Sequence, residues 1–136
     1  VGIKEASGNL DQIASILKHR PKDFMVISGD DALTLPILAL GGDGVISVVG
    51  NALPTEFARL VEAAMAGDMP AARREHFKLL EFMTYLFAEG NPGGIKEALK
   101  TLGLCGNQLR LPLVPVSEAT AKKIYHAMAD AEVVKL

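Results

Sequence analysis

The sequence predicts an α/β fold in which strand–helix units over residues 1–66 precede an all-helical domain over 67–136. Short apolar runs rich in β-branched residues recur about every 20 residues, and the segments between them have helical spacing. After Ala66 the periodicity is helical only.

The elements follow in order. Val1-Gly2-Ile3-Lys4 reads as the last residues of a buried strand, and because the chain opens there without Met, a fragment or a processed chain is expected. The first helix places Leu10, Ile13 and Leu17 on one face, with Asn9 as its N-cap and an end near His19, before Pro21. Phe24-Met25-Val26-Ile27 is the second strand. A short apolar helix from about Ala32 to Leu40 follows, with Asp30 or Asp31 available as its cap and Gly41-Gly42 suited to the left-handed turn that stops it. Gly44-Val45-Ile46-Ser47-Val48-Val49 is the third strand. The next helix, from about Pro54 to Ala66, carries Phe57, Leu60, Val61, Ala64 and Met65 at i, i+3, i+4, i+7 and i+8.

The strands are apolar along almost their whole length, which argues for a parallel sheet buried on both faces. Such strands belong either to an open doubly wound sheet or to an eight-stranded (β/α) barrel. No G-x-G-x-x-G opens a helix, so the barrel is preferred, although three strands cannot close one.

In the helical domain, Asp68 and Pro70 start a long helix to about Phe87, and Asn91-Pro92 starts one running through Ile95, Ala98, Leu99 and Leu102 to Gly103. Ser117 caps the last, which ends near Ala131. Between these two, Leu109 to Val116 has prolines spaced to hold a stiff, extended strap.

Composition excludes several functions. The net charge is −2 with both signs intermixed, so no basic patch for nucleic acid exists. No apolar run reaches the roughly 20 residues that cross a bilayer, and a cytoplasmic protein is expected. Cys105 stands alone beside three scattered histidines, which leaves no internal disulfide and no zinc ligand set; no metal or cofactor is expected. Arg73-Arg74, His76 and His126 read as solvated or packing residues, and Phe77, Phe82, Met83, Phe87 and Met128 as helix packing. Gly50-Asn51 has the small-residue character of a phosphate-binding turn, but the acidic Asp30-Asp31 pair argues against an anion there.

Barrel active sites are built at the C-terminal ends of the strands. Lys4, Gly29-Asp30-Asp31 and Ser47 all fall at such ends. A lysine closing an apolar strand is desolvated by its neighbours, which favours the neutral amine, the form that attacks a carbonyl to give an imine. The competing assignment is a lysine whose stem packs while its ammonium reaches water.

Gly2-Ile3-Lys4-Glu5-Ala6-Ser7-Gly8-Asn9-Leu10 resembles the Schiff-base strand of the dihydrodipicolinate synthases, members of the pyruvate-dependent class I aldolase superfamily. The likeness continues through Ser28-Gly29-Asp30-Asp31, Gly41-Gly42-Asp43-Gly44-Val45-Ile46-Ser47 and Asn91-Pro92 to Leu109-Arg110-Leu111-Pro112-Leu113-Val114-Pro115. It covers essentially the whole chain but about half of such an enzyme, and so implies the last three βα units of a (β/α)8 TIM barrel and the C-terminal helical domain. It further implies a lyase condensing pyruvate with aspartate semialdehyde to give 4-hydroxy-tetrahydrodipicolinate, in lysine and diaminopimelate biosynthesis. By the same match Lys4 is the imine-forming nucleophile, Gly29 and Ile46 line the pyruvate pocket, and Asp30 and Asp31 lie beside the second substrate. Helix capping is an equally good assignment for the two aspartates.

Family members are usually homotetramers, with Leu10 and Leu40 as outer apolar positions for contact. The tyrosine, threonine and arginine residues that such enzymes use belong to an earlier part of the chain, so a fragment inactive by itself is expected, with an exposed strand edge that invites association. Two alternatives stay open: another pyruvate aldolase, such as N-acetylneuraminate lyase or a keto-deoxy-sugar aldolase, and a non-catalytic helical interaction module.

Overall fold

The computed structural model describes residues 1–134. Its elements are β1 (Gly2–Glu5), α1 (Leu10–His19), β2 (Met25–Ser28), α2 (Thr34–Ala39), β3 (Gly44–Val45), a 3-10 turn (Val49–Asn51), α3 (Pro54–Met65), α4 (Met69–Phe87), α5 (Gly93–Thr101) and α6 (Glu118–Asp130). The chain forms two compact units, one of Val1–Ser47 with Ala58–His76 and one of Val48–Phe57 with the chain from Phe77 onward. The expected division at 66/67 falls inside the first unit.

In the first unit the strands are parallel in the order β1-β2-β3. Gly2, Ile3, Lys4 and Glu5 lie opposite Met25, Val26, Ile27 and Ser28, and Ile27 and Ser28 lie opposite Gly44 and Val45. Paired residues of a parallel ladder share a face, and faces alternate along each strand. Lys4, Met25, Ile27 and Ile46 therefore share one face, and Glu5, Val26, Ser28 and Val45 the other. The second face is covered: Val26 and Ser28 have no exposed surface and Glu5 is buried. Burying Val26 and the equally buried Ile13 of α1 stabilises the unit by about 1.5–3 kcal/mol each. Leu35 and Leu38 of α2 pack with Ala64 and Ala72 in the same unit.

Local chemistry sets the ends of these elements. The Asn9 side-chain oxygen accepts from the Asp11 and Gln12 amides at 3.0 and 3.1 Å, as an N-cap does. Gly41, at φ +94, stops the short apolar helix in the left-handed region that glycine occupies without steric cost. At the N-terminal end of the sheet, the Asp43 carboxylate accepts from the Val26 amide at 2.8 Å and pairs with the Arg20 guanidinium, which also donates to the Gly41 carbonyl at 3.0 Å. The Val26 amide and then Arg20 hold the Asp43 carboxyl below the usual aspartate range.

The structure corrects several expectations. β3 is short: the ladder reaches the Ile46 amide, which donates to the Ser28 carbonyl at 2.9 Å, and Val48 already has helical backbone angles. α2 begins at Thr34 rather than Ala32, with no side-chain cap. Met65, Phe77 and Phe87 are exposed, whereas Phe82, Met83 and Met128 are buried. The proline strap is not uniformly extended, because the Leu113 amide closes a turn onto the Arg110 carbonyl at 3.1 Å.

In the second unit α5 packs against α6 and against the 3-10 turn. Its core includes Leu79, Phe82, Leu86, Ala98, Ile124 and Met128. A Cβ on Gly94 would lie 2.2 Å from the Leu86 carbonyl oxygen, so glycine there lets α5 approach the backbone of α4. Ser117 caps α6 through the Thr120 amide at 3.3 Å. It is held in turn by Glu89, whose carboxylate accepts from its amide and hydroxyl at 2.9 and 2.5 Å. The Ser117 hydroxyl lowers the Glu89 pKa.

Candidate active site

Lys4 stands one residue before the end of β1 and faces Gly29, the residue that follows β2. Gly29 continues the ladder through its amide, which donates to the Glu5 carbonyl at 2.7 Å. A Cβ at Gly29 would come 2.9 Å from the Lys4 Cε, 2.7 Å from the Ala6 Cβ and 3.2 Å from the Glu5 carbonyl oxygen. Only a residue without a side chain lets the lysine stem pass at that distance. Lys4, Met25, Ile27 and Ile46 line a cavity of about 230 Å³ with Val1, Gly2 and Ile3. Its walls are apolar apart from the lysine, and it opens to solvent on the uncovered face of the sheet.

Lys4 itself is exposed, contrary to the expectation that its strand desolvates it. The reason is geometric. The side chain lies on the face of a three-stranded sheet that no helix of its own unit covers, and Met25 and Ile46 on the same face are 49% and 53% exposed. Desolvation of this lysine requires a barrel wall opposite, which three strands do not make.

The two aspartates separate sharply. Asp30 caps a turn, its Oδ1 accepting the Leu33 amide at 3.2 Å while its carbonyl accepts the Ser28 and Thr34 hydroxyls at 2.8 and 2.9 Å. Asp31, expected beside a second substrate, is only 2% exposed, and its Oδ1 accepts a hydrogen bond from the Ser47 hydroxyl. It ties the loop after β2 to the loop after β3.

Glu5 belongs to the motif but receives no role from the sequence. It is 6% exposed, and its Oε1 accepts from the Ser7 amide and the Gln12 side-chain amide, both at 3.1 Å, while Oε2 is buried without a hydrogen-bond partner. This carboxylate fastens the turn between β1 and α1 directly beyond the lysine. Strand parity held the signal: the residue after Lys4 must point to the opposite, covered face. No cluster of three or more metal-ligating side chains occurs among the described residues, and no described helix is long and apolar enough to cross a membrane. The Arg73 and Arg74 side chains are exposed, as is His126; His76 is buried, and that burial lowers its pKa.

The model of the dihydrodipicolinate synthetase family matches residues 1–131. The 4-hydroxy-tetrahydrodipicolinate synthase of Parabacteroides distasonis is 47% identical over 133 residues, covering 98% of this chain and 45% of that protein. The synthase of Methanosarcina barkeri is 50% identical over 125 residues, covering 91% and 43%. Among solved structures, the Aquifex aeolicus dihydrodipicolinate synthase superposes with a TM-score of 0.93 at 40% identity, covering 100% of this chain and 47% of that one. A chloride-inhibited dihydrodipicolinate synthase of Acinetobacter baumannii, solved in complex with pyruvate, gives 0.93 at 33% identity, covering 98% and 46%. The chain thus spans just under half the length of these relatives and matches their C-terminal part.

Proposed function

The chain belongs to the dihydrodipicolinate synthetase family, with the fold of the C-terminal part of a (β/α)8 barrel and its helical extension, and from that premise we propose that it carries the lysine nucleophile of a 4-hydroxy-tetrahydrodipicolinate synthase. Residues 1–66 supply the last three βα units and 67–136 the helical domain. Lys4 attacks the C2 carbonyl of pyruvate, water leaves, and an imine forms; loss of a C3 proton gives the enamine that adds to the aldehyde carbon of aspartate semialdehyde. Gly29 and Ile46 line the pyruvate end, and Asp30 lies on the side from which the second substrate approaches. The activity belongs to the full-length gene product in the cytoplasm, assembled with further copies of itself. The exposure of Leu10 and Leu40, 36% and 50%, supports the assembly.

One observation carries this reading: the Lys4 stem passes so close to Gly29 that a Cβ there would sit 2.9 Å from its Cε, at the C-terminal end of parallel strands, where barrel enzymes place their chemistry. Borohydride reduction of the full-length protein in the presence of pyruvate is expected to add the reduced pyruvate mass to Lys4. The adduct is expected to vanish in Lys4→Ala. An adduct at another lysine, or none, would refute the assignment.

A further inference from the structure

Ile46 lines the same cavity as Lys4, yet it is 53% exposed, so its neighbours do not hold it by packing. Its position is set by what brackets it in the chain. On one side its own amide donates to the Ser28 carbonyl at 2.9 Å; on the other the Ser47 hydroxyl donates to Asp31 Oδ1. Asp31 is a firm anchor, being 2% exposed and accepting the Thr34 amide on its carbonyl at 3.2 Å, at the start of a helix whose Leu35 and Leu38 are in the core.

Resting on the reading of Lys4 given above, we propose that Asp31 and Ser47 are a positioning pair that holds Ile46 at the pyruvate end of the cavity and thereby sets how tightly the keto acid is bound. Neither residue takes part in the chemistry. A hydrogen bond to a carboxylate is charge-assisted, so its loss corresponds to roughly tenfold in an equilibrium that depends on it.

The test is steady-state kinetics on the full-length protein with Ser47→Ala, Ser47→Thr, Asp31→Asn and the Ala/Asn double variant. Ser47→Ala is expected to raise KM for pyruvate about tenfold with kcat nearly unchanged. Ser47→Thr, which keeps the hydroxyl, is expected to stay near the parent, and the double variant to be no worse than Ser47→Ala. A merely structural role predicts a different split, because loss of folded enzyme lowers the apparent kcat and leaves KM in place. An unchanged KM in Ser47→Ala overturns the pair, as does a threonine variant as impaired as alanine or additive effects in the double variant. Borohydride trapping of the parent separates the two ideas: an adduct at Lys4 with an unresponsive KM defeats the pair alone, whereas no adduct in the parent defeats both.

Discussion

Replacing Gly29 by alanine tests the site more directly than removing the lysine, because it leaves the nucleophile in place and disturbs only its path. The added Cβ would meet the Lys4 Cε at 2.9 Å and the Ala6 Cβ at 2.7 Å, where carbon atoms in contact stand about 3.5–4.0 Å apart. Relief requires a displacement of about 0.6 Å at the lysine and about 0.8 Å at Ala6 if each moves alone to the near edge of that range. The lysine stem is the softer partner and takes most of the motion; Ala6 moves only with the turn that Glu5 fastens. Overpacking of this kind costs about 1–3 kcal/mol of stability, and misplacing a reacting group by about 1 Å costs on the order of 100-fold in rate. The assay is the initial rate of borohydride-trapped pyruvate adduct at Lys4 in the full-length protein, read beside its thermal unfolding. A Gly29→Ala protein that traps at the parental rate with unaltered stability would show that the approach of lysine and glycine does not matter to the chemistry.

Two further outcomes concern stability. Gly94→Ala places a Cβ 2.2 Å from the Leu86 carbonyl oxygen and 2.7 Å from its carbonyl carbon, backbone atoms that cannot rotate away, so α5 must back off α4. A loss of about 3 kcal/mol is expected as a lower denaturant midpoint, and an unchanged midpoint contradicts the packing described. Asp43→Asn removes a carboxylate whose folded pKa lies below its ordinary 3.8 through the Val26 amide and Arg20. The stabilisation from a depressed pKa is complete above the unfolded value and disappears as pH falls through the folded one. With the side chain 34% exposed and screened, the variant is expected to be about 1 kcal/mol less stable at pH 7. That difference should shrink as pH falls below 3.8 toward the lowered folded value; a deficit that does not change as pH falls counts against the charge.

Much of this architecture follows from local signals. Asn9 and Ser117 cap their helices as their side chains require, Gly41 ends α2 in the conformation that suits glycine, and the three apolar runs pair in parallel because helical segments separate them. Periodicity and capping are properties of a few consecutive residues, so chain order alone carries them. Met65 and Phe87 show where that logic stops. Each is apolar at a helical position, but whether a given face is covered depends on what else lies against it, and both are exposed.

The site divides along the same line. The sequence alone placed Lys4 and Gly29 at successive strand ends and set the motif that marks the family. Only the tertiary structure decided that the lysine stem crosses Gly29 within contact distance, that Glu5 is buried on the opposite face, and that Asp31 spends its carboxylate on Ser47, 16 residues away. Those facts depend on strand register and on which loops meet. Register couples residues far apart in the chain through hydrogen bonds that leave no local pattern.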